Sequence, residues 1–316
     1  MAAMAGTLVI AEHLQGRLRD VTLECVSAAL ELGAPVAVCV IGNEPGAIAG
    51  QADVAGVDEI VTVAIDDEEF TSDAYANAAE AVVAERQPDL VLCGFTVSGM
   101  GYAPALAARL GTGFASDVVA VSRDAEGLVA ERDMYGAKVR AELDFPGKSS
   151  VILMLRPTTW PPAEGAGNAT ITEVAAQLPP SRSRHTRFEE APATDVDITA
   201  ADFLLSIGRG IGEREAIAQF EQLADTMGAT LGVSRPLVDA GWMPASRQVG
   251  QSGKTVKPKV YLAFGISGAV QHLAGMKTSG TIIAVNSDPE AAIFGVAHYG
   301  AACDLFDVAE ELEKLY

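Results

Sequence analysis

The chain has 316 residues, 49% of them hydrophobic, which is enough for two domains of ordinary size that each contain a core. Its formal charge is −20, and the excess of 42 acidic over 22 basic residues argues against nucleic-acid binding, because each phosphate contact requires a lysine or arginine. The longest apolar runs, such as VILML at residues 151–155, are far shorter than the roughly 20 residues that cross a bilayer.

Four widely spaced cysteines lie mostly within apolar runs, and they form no CxxC pair (Cys25, Cys39, Cys93 and Cys303). This usage is typical of buried free thiols in a reducing compartment. The first residues, MAAMAGTLVIAEH, lack the basic leader and apolar core of a secretory signal. We therefore expect a soluble, cytoplasmic protein.

Residues 7–157 alternate short β-type runs with helical runs, in the order TLVIAEH, DVTLECVSAALELG, VAVCVIG, an Ala-rich segment, VDEIVTVA, AYANAAEAVVAE, DLVLCGF and APALAARLG. This alternation is typical of βα units that form a parallel sheet. From Ser116 the pattern changes to strands without helices, and we expect these to extend the same sheet or cover its edge. An N-terminal α/β domain is therefore predicted over residues 1–185.

Residues 158–200 interrupt the alternation with prolines and the polar segment SRSRHTRFEEAPATD. This composition predicts a connector, with a linker at residues 186–200, in which FEE and DITA are candidates for a short additional strand.

A second βα series starts at FLLSIG, residues 203–208. An amphipathic helix follows, because apolar residues recur at intervals of three and four (Ile217, Phe220, Ala224 and Met227). Strands are predicted at TLGVS, KVYLAF, TIIAVN and AACDLF, and a closing helix at VAEELEKLY. The sequence thus predicts an α/β fold with two Rossmann-like domains and parallel sheets, the second domain spanning residues 201–316.

Polar loops follow the β-runs of the second domain, at the edge where open α/β sheets bind ligands. GRGIGE, residues 208–213, is an incomplete dinucleotide fingerprint in which Glu213 replaces the third glycine, and Arg209 beside it suits a pyrophosphate. VSRP places Ser234 and Arg235 after the next strand, where the arginine is either an ordinary surface residue or a cleft residue.

QVGQSGKTVKP, residues 248–258, ends like a P-loop, but Gln248 stands where its first glycine belongs and Pro258 stops the helix that should follow. An ATPase is therefore disfavoured. A glycine-rich loop remains, which offers backbone N–H groups and the Ser252 hydroxyl to a flat or anionic ligand.

GISGAVQHLAGM, residues 265–276, follows the next β-run, and its glycines permit a tight turn after which Ser267 is expected to cap a short helix. Gln271 and His272 fall in the first turns of that helix. For the histidine, a ligand contact competes with the more common case of a half-buried residue that a backbone carbonyl satisfies. Asn286 and Asp304 follow two further strands and converge on the same edge.

The four histidines are too far apart for a metal motif, and no GxSxG pattern indicates a hydrolase. From the residues alone we therefore infer a two-domain α/β protein with a nucleotide-like cofactor on its C-terminal domain.

The runs SRPLVDAGW, QVGQSGKTVKPKVYLAFGISGAVQHLAGM, TIIAVNSDPEAAIF and DLF closely resemble the C-terminal domain of the electron transfer flavoprotein alpha subunit. The N-terminal half is similar to that family more loosely, through LVIAEHLQGRLRDVTLECVSAALELG, APALAARLGTGFASDV and LRP. Two departures are AAIF, with Ala292 where proline is usual, and AHYG, with His298 in place of an acid.

In that family the alpha subunit forms a heterodimer with a beta subunit, and its C-terminal domain binds FAD. The FAD passes single electrons from flavin dehydrogenases, such as the acyl-CoA dehydrogenases of fatty acid oxidation, to a membrane quinone reductase. The resemblance therefore implies an electron carrier rather than an enzyme with its own substrate. It also implies that the N-terminal domain, whose GFTVSGMGYAP lacks a basic residue, is a scaffold that contacts the beta subunit.

The resemblance also assigns residues to the cofactor. Carried over by motif, the FAD-binding residues are Arg209, Ser234, Arg235, Val249, Gly250, Gln251, Ser252, Ser267, Gly268, Ala269, Val270, Gln271, His272, Asn286, Asp304 and Leu305. Arg235 is expected beside the isoalloxazine, Asn286 near the ribityl and phosphate region, and Asp304 with Leu305 at the adenosine end.

Three of these residues are expected to tune the flavin potential: His272, Arg235 and Ser252. Reduction places negative charge at the N1–C2=O edge of a flavin, and a histidine that donates an N–H there, with an arginine nearby, stabilises the anionic semiquinone. The Ser252 hydroxyl is expected to contact N5 or O4.

Several alternatives remain open. The beta subunit of this family carries either AMP or a second FAD, and in the latter case the protein bifurcates electrons from NADH. A nicotinamide-dependent dehydrogenase is disfavoured by the broken GxGxxG and by the lack of an evident acid-base pair. A nucleotide-sensing module without a redox role is the third alternative.

Overall fold

The computed structural model describes residues 6–124, 127–135, 138–176, 178–188 and 196–315. The chain folds into two compact units, Met1–Arg187 and Phe188–Tyr316. Residues 189–195 of the predicted linker, which include both glutamates of FEE, lie outside the described residues. No helix among the described residues is long and apolar enough to span a bilayer.

The N-terminal unit alternates strands and helices up to β7. Its strands are β1 (Thr7–Ile10), β2 (His13–Leu14), β3 (Arg17–Leu18), β4 (Val36–Gly42), β5 (Glu59–Ala64), β6 (Leu90–Gly94), β7 (Gly113–Arg123), β8 (Leu128–Met134), β9 (Val139–Leu143), β10 (Val151–Leu155) and β11 (Thr170–Glu173). Its helices are α1 (Asp20–Glu31), α2 (Pro45–Ala52), α3 (Ser72–Arg86) and α4 (Val97–Leu110).

Nine of these strands form one sheet in the order β11-β5-β4-β1-β6-β10-β7-β8-β9. Its central strands are continuous apolar runs because cores cover both faces: Leu8 and Ile10 of β1 point into one core, and Val9 into the other. The strand order reverses between β1 and β6, which places a crevice at their carboxyl ends.

The helix-free strands extend the sheet at one end, as expected, and there β7, β8 and β9 pair antiparallel. The connections between these strands are too short for the crossover that a parallel pair requires. β10 does not extend the edge but lies between β6 and β7, parallel to both.

The connector also differs from its prediction. It contributes β11, which pairs parallel with β5 at the other edge of the sheet. DITA forms a 3₁₀ turn, Ile198–Ala200, rather than a strand, because the Asp197 carboxylate accepts the backbone N–H of Thr199 and caps the turn.

The C-terminal unit has the strands β12 (Phe203–Ile207), β13 (Thr230–Val233), β14 (Val260–Phe264), β15 (Thr281–Asn286) and β16 (Tyr299–Ala302). Its helices are α5 (Ile217–Met227), α6 (Arg235–Asp239), α7 (Val270–Ala274) and α8 (Leu305–Leu315). The strands form an all-parallel sheet in the order β13-β12-β14-β15-β16. As in the first unit, the order reverses once, here between β12 and β14.

The predicted apolar face of α5 is buried, with Phe220 packing against Phe264 of β14. The predicted strand AACDLF is partly wrong, since β16 ends at Ala302 and α8 starts at Leu305. The cause lies in Asp304, whose carboxylate accepts the Phe306 backbone N–H at 2.9 Å and so favours the start of a helix.

Candidate functional site

A pocket of about 520 Å³ opens at the carboxyl ends of the C-terminal strands, where the strand order reverses. Of the residues that the resemblance assigned to FAD, those that line it are Arg209, Ser234, Arg235, Val249, Gly250, Gln251, Ser252, Ser267, Ala269, Gln271, His272 and Asn286. Four short segments after β12, β13 and β14 supply most of this wall, so residues far apart in sequence meet at one edge.

Four assigned residues do not line the pocket. Gly268 and Val270 belong to the same turn as its lining residues, but Asp304 caps α8 and Leu305 is buried in the core that contains Phe220. The wall includes further residues that the motifs did not single out as contacts (Gly210, Pro236, Asp239, Gln248, Gly265 and Ile266). Asp239 was detectable as the i+4 partner of Arg235 on a helix.

The turn after β14 depends on glycine at two positions. Gly268 has φ +81°, and a Cβ there would lie 2.2 Å from the Ile293 backbone nitrogen. Gly265 has φ +62°, and its Cβ would lie 2.8 Å from the Gly210 Cα. Only glycine permits this close approach of two backbones.

The predicted capping role of Ser267 is wrong. The helix α7 begins at Val270, one residue later than expected, and no side chain caps it. Within the described residues, the backbone N–H groups of Ser267, Gly268 and Ala269 make no hydrogen bond. Because Ser267 and Ala269 line the pocket, these donors are available to an anionic ligand.

Backbone hydrogen bonds connect the two ends of the glycine-rich loop at residues 248–254 and join the loop to α7. The Lys254 N–H donates to the Gln248 carbonyl at 2.7 Å, and the Gly250 N–H donates to the Lys254 carbonyl at 3.0 Å. The Gln251 N–H donates to the Gln271 carbonyl at 2.7 Å. No helix follows Lys254 directly, whereas a P-loop lysine is followed by a helix.

His272 is buried in the pocket wall. Its Nε2 lies 2.9 Å from the hydroxyl of Tyr261, a fully buried residue of β14, and its Nδ1 makes no hydrogen bond of good geometry with the described residues. Burial lowers the pKa of His272 to about 4, an effect that the Val249 backbone opposes only in part. The imidazole is therefore neutral at pH 7. The Tyr261 hydroxyl is a partner of the ring, and the Val249 backbone acts on it as a second one.

Two arginines bring positive charge to the pocket. Arg235 is exposed at the start of α6, and its Nε lies 3.2 Å from the Asp239 carboxylate one helical turn later. Arg209 is also exposed and forms no ion pair with any described residue. The charge of Arg209 is thus available to a ligand, whereas that of Arg235 is partly compensated.

Comparison with known proteins identifies the family of both units. Residues 197–277 match the family model described as "Electron transfer flavoprotein FAD-binding domain", and residues 7–179 match "Electron transfer flavoprotein domain". The chain is 48% identical to the electron transfer flavoprotein subunit alpha of Methylophilus methylotrophus, over 98% of each chain. The subunits of the same name from Mycobacterium leprae and Bacillus subtilis are 39% and 34% identical, over 98% of this chain and 97% of theirs.

The chain belongs to the electron transfer flavoprotein alpha-subunit family. Its cofactor is therefore FAD, and the C-terminal unit is the FAD-binding domain. The pocket fits this cofactor in its chemistry: it offers unpaired backbone N–H groups and Arg209 for a diphosphate, and the glycine-rich loop with Ser252 and His272 for a flat polar ring.

Asn286 shapes the FAD-binding domain in a way that its motif did not reveal. Its Nδ2 donates to the Ile266 carbonyl at 2.9 Å, and its Oδ1 accepts the Asp288 N–H at 2.9 Å. The side chain therefore holds the turn that follows β14 in place, in addition to lining the pocket.

The two departures from the electron transfer flavoprotein pattern make local contacts outside the pocket lining. His298 accepts the Ile282 backbone N–H on its Nδ1 at 2.9 Å, so a ring nitrogen acts as acceptor where the family has a carboxylate. Ala292 starts a short 3₁₀ helix, Ala292–Gly295. Neither residue lines the pocket.

The crevice at the strand reversal of the N-terminal unit is nearly filled by side chains. The remaining cavity, about 10 Å³, holds at most about one water. His13 fills part of it, with its Nε2 2.7 Å from the Ile41 carbonyl and 3.0 Å from the Tyr75 hydroxyl. Thr96 donates to the half-buried Glu12 carboxylate. Among the described residues no group of side chains is arranged to hold a metal ion.

Proposed function

We propose that the chain is an electron carrier that takes electrons from flavin dehydrogenases, such as acyl-CoA dehydrogenases, and passes them to a quinone reductase. The observation that carries this proposal is the pocket at the β12/β14 reversal, which lies in the matched FAD-binding domain and is lined by most of the residues assigned to FAD. Bound FAD supplies the one-electron chemistry. The protein contributes binding, orientation and electrostatics.

The roles of the individual residues follow from their surroundings. Arg209 and the unpaired N–H groups of residues 267–269 hold the diphosphate, and the loop at residues 248–254 holds the ring. His272 acts as a neutral hydrogen-bonding group because its pKa is about 4, so the positive charge near the ring comes from Arg235. Asp239 moderates that charge.

A carrier fits this pocket better than an enzyme with its own substrate. The titratable side chains that line it are two arginines, one aspartate paired with an arginine, and a histidine whose pKa lies far below 7. General acid–base catalysis near neutral pH requires a group with a pKa close to the working pH. The lining therefore offers no such group for substrate chemistry.

We further propose that the N-terminal unit is a scaffold for a beta subunit that carries AMP or a second FAD, and that the heterodimer works in the cytoplasm. The nearly closed N-terminal crevice supports a scaffold rather than a second nucleotide site on this chain. The free cysteines, of which Cys25, Cys39 and Cys93 are buried, support a reducing compartment.

The test is stepwise reduction of the protein purified together with its genomic neighbour of beta-subunit type, followed by visible absorption. We expect a yellow complex whose spectrum changes in two one-electron steps. One flavin per heterodimer indicates a simple carrier, and two indicate the bifurcating type. A colourless complex that added FAD does not reconstitute contradicts the proposal.

A further inference from the structure

Gln248 is a buried polar residue of the pocket wall, and it is not among the residues that the resemblance assigned to FAD. Its side chain is 6% exposed and lines the pocket. Its N–H donates to the Ala245 carbonyl at 3.1 Å, and its carbonyl accepts the Lys254 N–H at 2.7 Å. A Cβ on Gly253 would lie 2.3 Å from that carbonyl, so the loop folds tightly back over Gln248. The backbone of Gln248 is thereby fixed on both sides.

The Gln248 side chain reaches across the base of this loop to Ser252. Its Nε2 donates to the Ser252 Oγ at 3.0 Å. A hydroxyl has one proton and two lone pairs, and this bond occupies a lone pair. The Ser252 hydroxyl makes no other hydrogen bond to a described residue, and Ser252 lines the pocket. Its proton is therefore left to donate into the pocket.

We propose that Gln248 is a positioning residue that fixes the direction of the Ser252 hydrogen bond. The serine hydroxyl then donates to the flavin ring instead of accepting from it. This inference rests on the proposed function of the pocket. A hydroxyl rotates freely and either donates or accepts, and a donor that is oriented in advance stabilises developing negative charge without reorganisation. The buried amide supplies that orientation.

The first experiment replaces Gln248 by methionine, which is similar in length but donates no hydrogen bond, in the FAD-loaded heterodimer. The first one-electron equilibrium constant for flavin reduction should fall about three- to tenfold. That change corresponds to roughly 30 to 60 mV for a one-electron couple. Gln222→Met, on the exposed face of α5, is the matched control and should leave the potential unchanged.

A second variant, Gln248→Glu, keeps the shape of the side chain but replaces its hydrogen-bond donor with an acceptor. An ionised carboxylate only accepts, so Ser252 donates to it and presents lone pairs to the ring. The equilibrium constant should fall at least as far as in Gln248→Met. Measuring Gln248→Glu on a Ser252→Ala background separates the effect of the added charge from the effect of the reversed bond.

The double-mutant cycle decides between positioning and a general structural role. On the Ser252→Ala background, Gln248→Met should change the potential no further, because the group through which Gln248 acts is absent. An equal shift on both backgrounds overturns the inference, as does an unchanged potential in Gln248→Met with FAD bound. If both Gln248 variants lose FAD while the wild type keeps it, Gln248 is a binding residue and the inference is wrong. A wild type that binds no FAD refutes the proposed function instead.

Discussion

Each unit of this chain has a crevice where the strand order of its sheet reverses, and each crevice contains a buried histidine paired with a tyrosine hydroxyl. In the N-terminal unit the pair is His13 with Tyr75, and in the C-terminal unit it is His272 with Tyr261. The first crevice has room for about one water, whereas the second is a pocket of about 520 Å³.

The difference in volume between the two crevices arises from the segments that follow the strands. In the C-terminal unit, glycines let backbones pass within van der Waals contact and leave the space above them open. In the N-terminal unit, larger side chains occupy that space, among them Tyr75, Tyr102 and Phe70. The topology therefore supplies a place for a ligand, and the residue types after the strands decide whether one fits.

The largest expected effect comes from disrupting the turn that borders the open crevice. In Gly268→Val, the new side chain meets the Ile293 backbone, so we expect FAD binding to be lost and the C-terminal unit to be destabilised by about 3 kcal/mol. FAD fluorescence titration and urea unfolding measure the two effects. Gly212→Ala is the control: it also has a positive φ but no atom within 4 Å, so it should retain FAD. Equal losses in both variants would contradict the role of close approach.

The buried histidine of the open crevice should make the FAD-free chain sensitive to acid. Its pKa is lowered from 6.5 to about 4 in the folded state, so the unfolded chain binds the proton more tightly. Stability is therefore lost as the pH falls from about 6.5 to about 4, by up to about 3 kcal/mol. Urea midpoints of His272→Phe across this range should show a shallower decline than the wild type. Parallel declines would refute the assignment.

A second prediction for His272 concerns the flavin potential, which only the open crevice should affect. His272→Ala should lower the first flavin potential by about 60 to 130 mV, the value of one hydrogen bond of about 1.5 to 3 kcal/mol to a charged group. Potentiometry of the FAD-loaded heterodimer measures this shift. An unchanged potential with FAD still bound would exclude the role.

The closed crevice should respond differently to a similar change. Tyr75→Phe removes the hydroxyl that pairs with His13 and Ile41, at a cost of about 1 kcal/mol in the stability of the N-terminal unit. The flavin potential should not change, because the C-terminal unit alone contains the FAD-binding domain. A shifted potential in Tyr75→Phe would mean that the two units are energetically coupled.

The smallest effect concerns the charge balance at the mouth of the open crevice. Asp239→Asn removes the exposed partner of Arg235, a pair worth about 0.2 to 1 kcal/mol. The first flavin potential should rise by up to about 40 mV, and the difference from the wild type should shrink as salt is added. A fall in potential would show that Asp239 acts on the ring by another route.

Much of this architecture was predictable because its signals are local. Strands buried on both faces appear as continuous apolar runs, and the apolar face of α5 recurs with helical periodicity. The insertion of β10 between β6 and β7 was not predictable, because strand order depends on pairing between distant segments. The short polar strand β11 carried no signal of its own and owes its pairing to the edge of β5.

The candidate site was likewise predictable in part. The resemblance brought together residues from loops that are far apart in sequence, and the structure places most of them around one pocket. It did not reveal that Tyr261 pairs with His272 or that Gln248 contacts Ser252, since both partners are ordinary residues in their own segments. Such contacts depend on side-chain geometry, which no motif spacing encodes.

The single bond from the Gln251 N–H to the Gln271 carbonyl has a consequence for the lifetime of the bound cofactor. It joins the glycine-rich loop to α7, so two parts of the wall move as one piece. Escape of FAD past this wall then requires both to open together, which is rarer than the opening of either alone. Because entry uses the same opening in reverse, we expect this bond to slow both the capture and the dissociation of the cofactor.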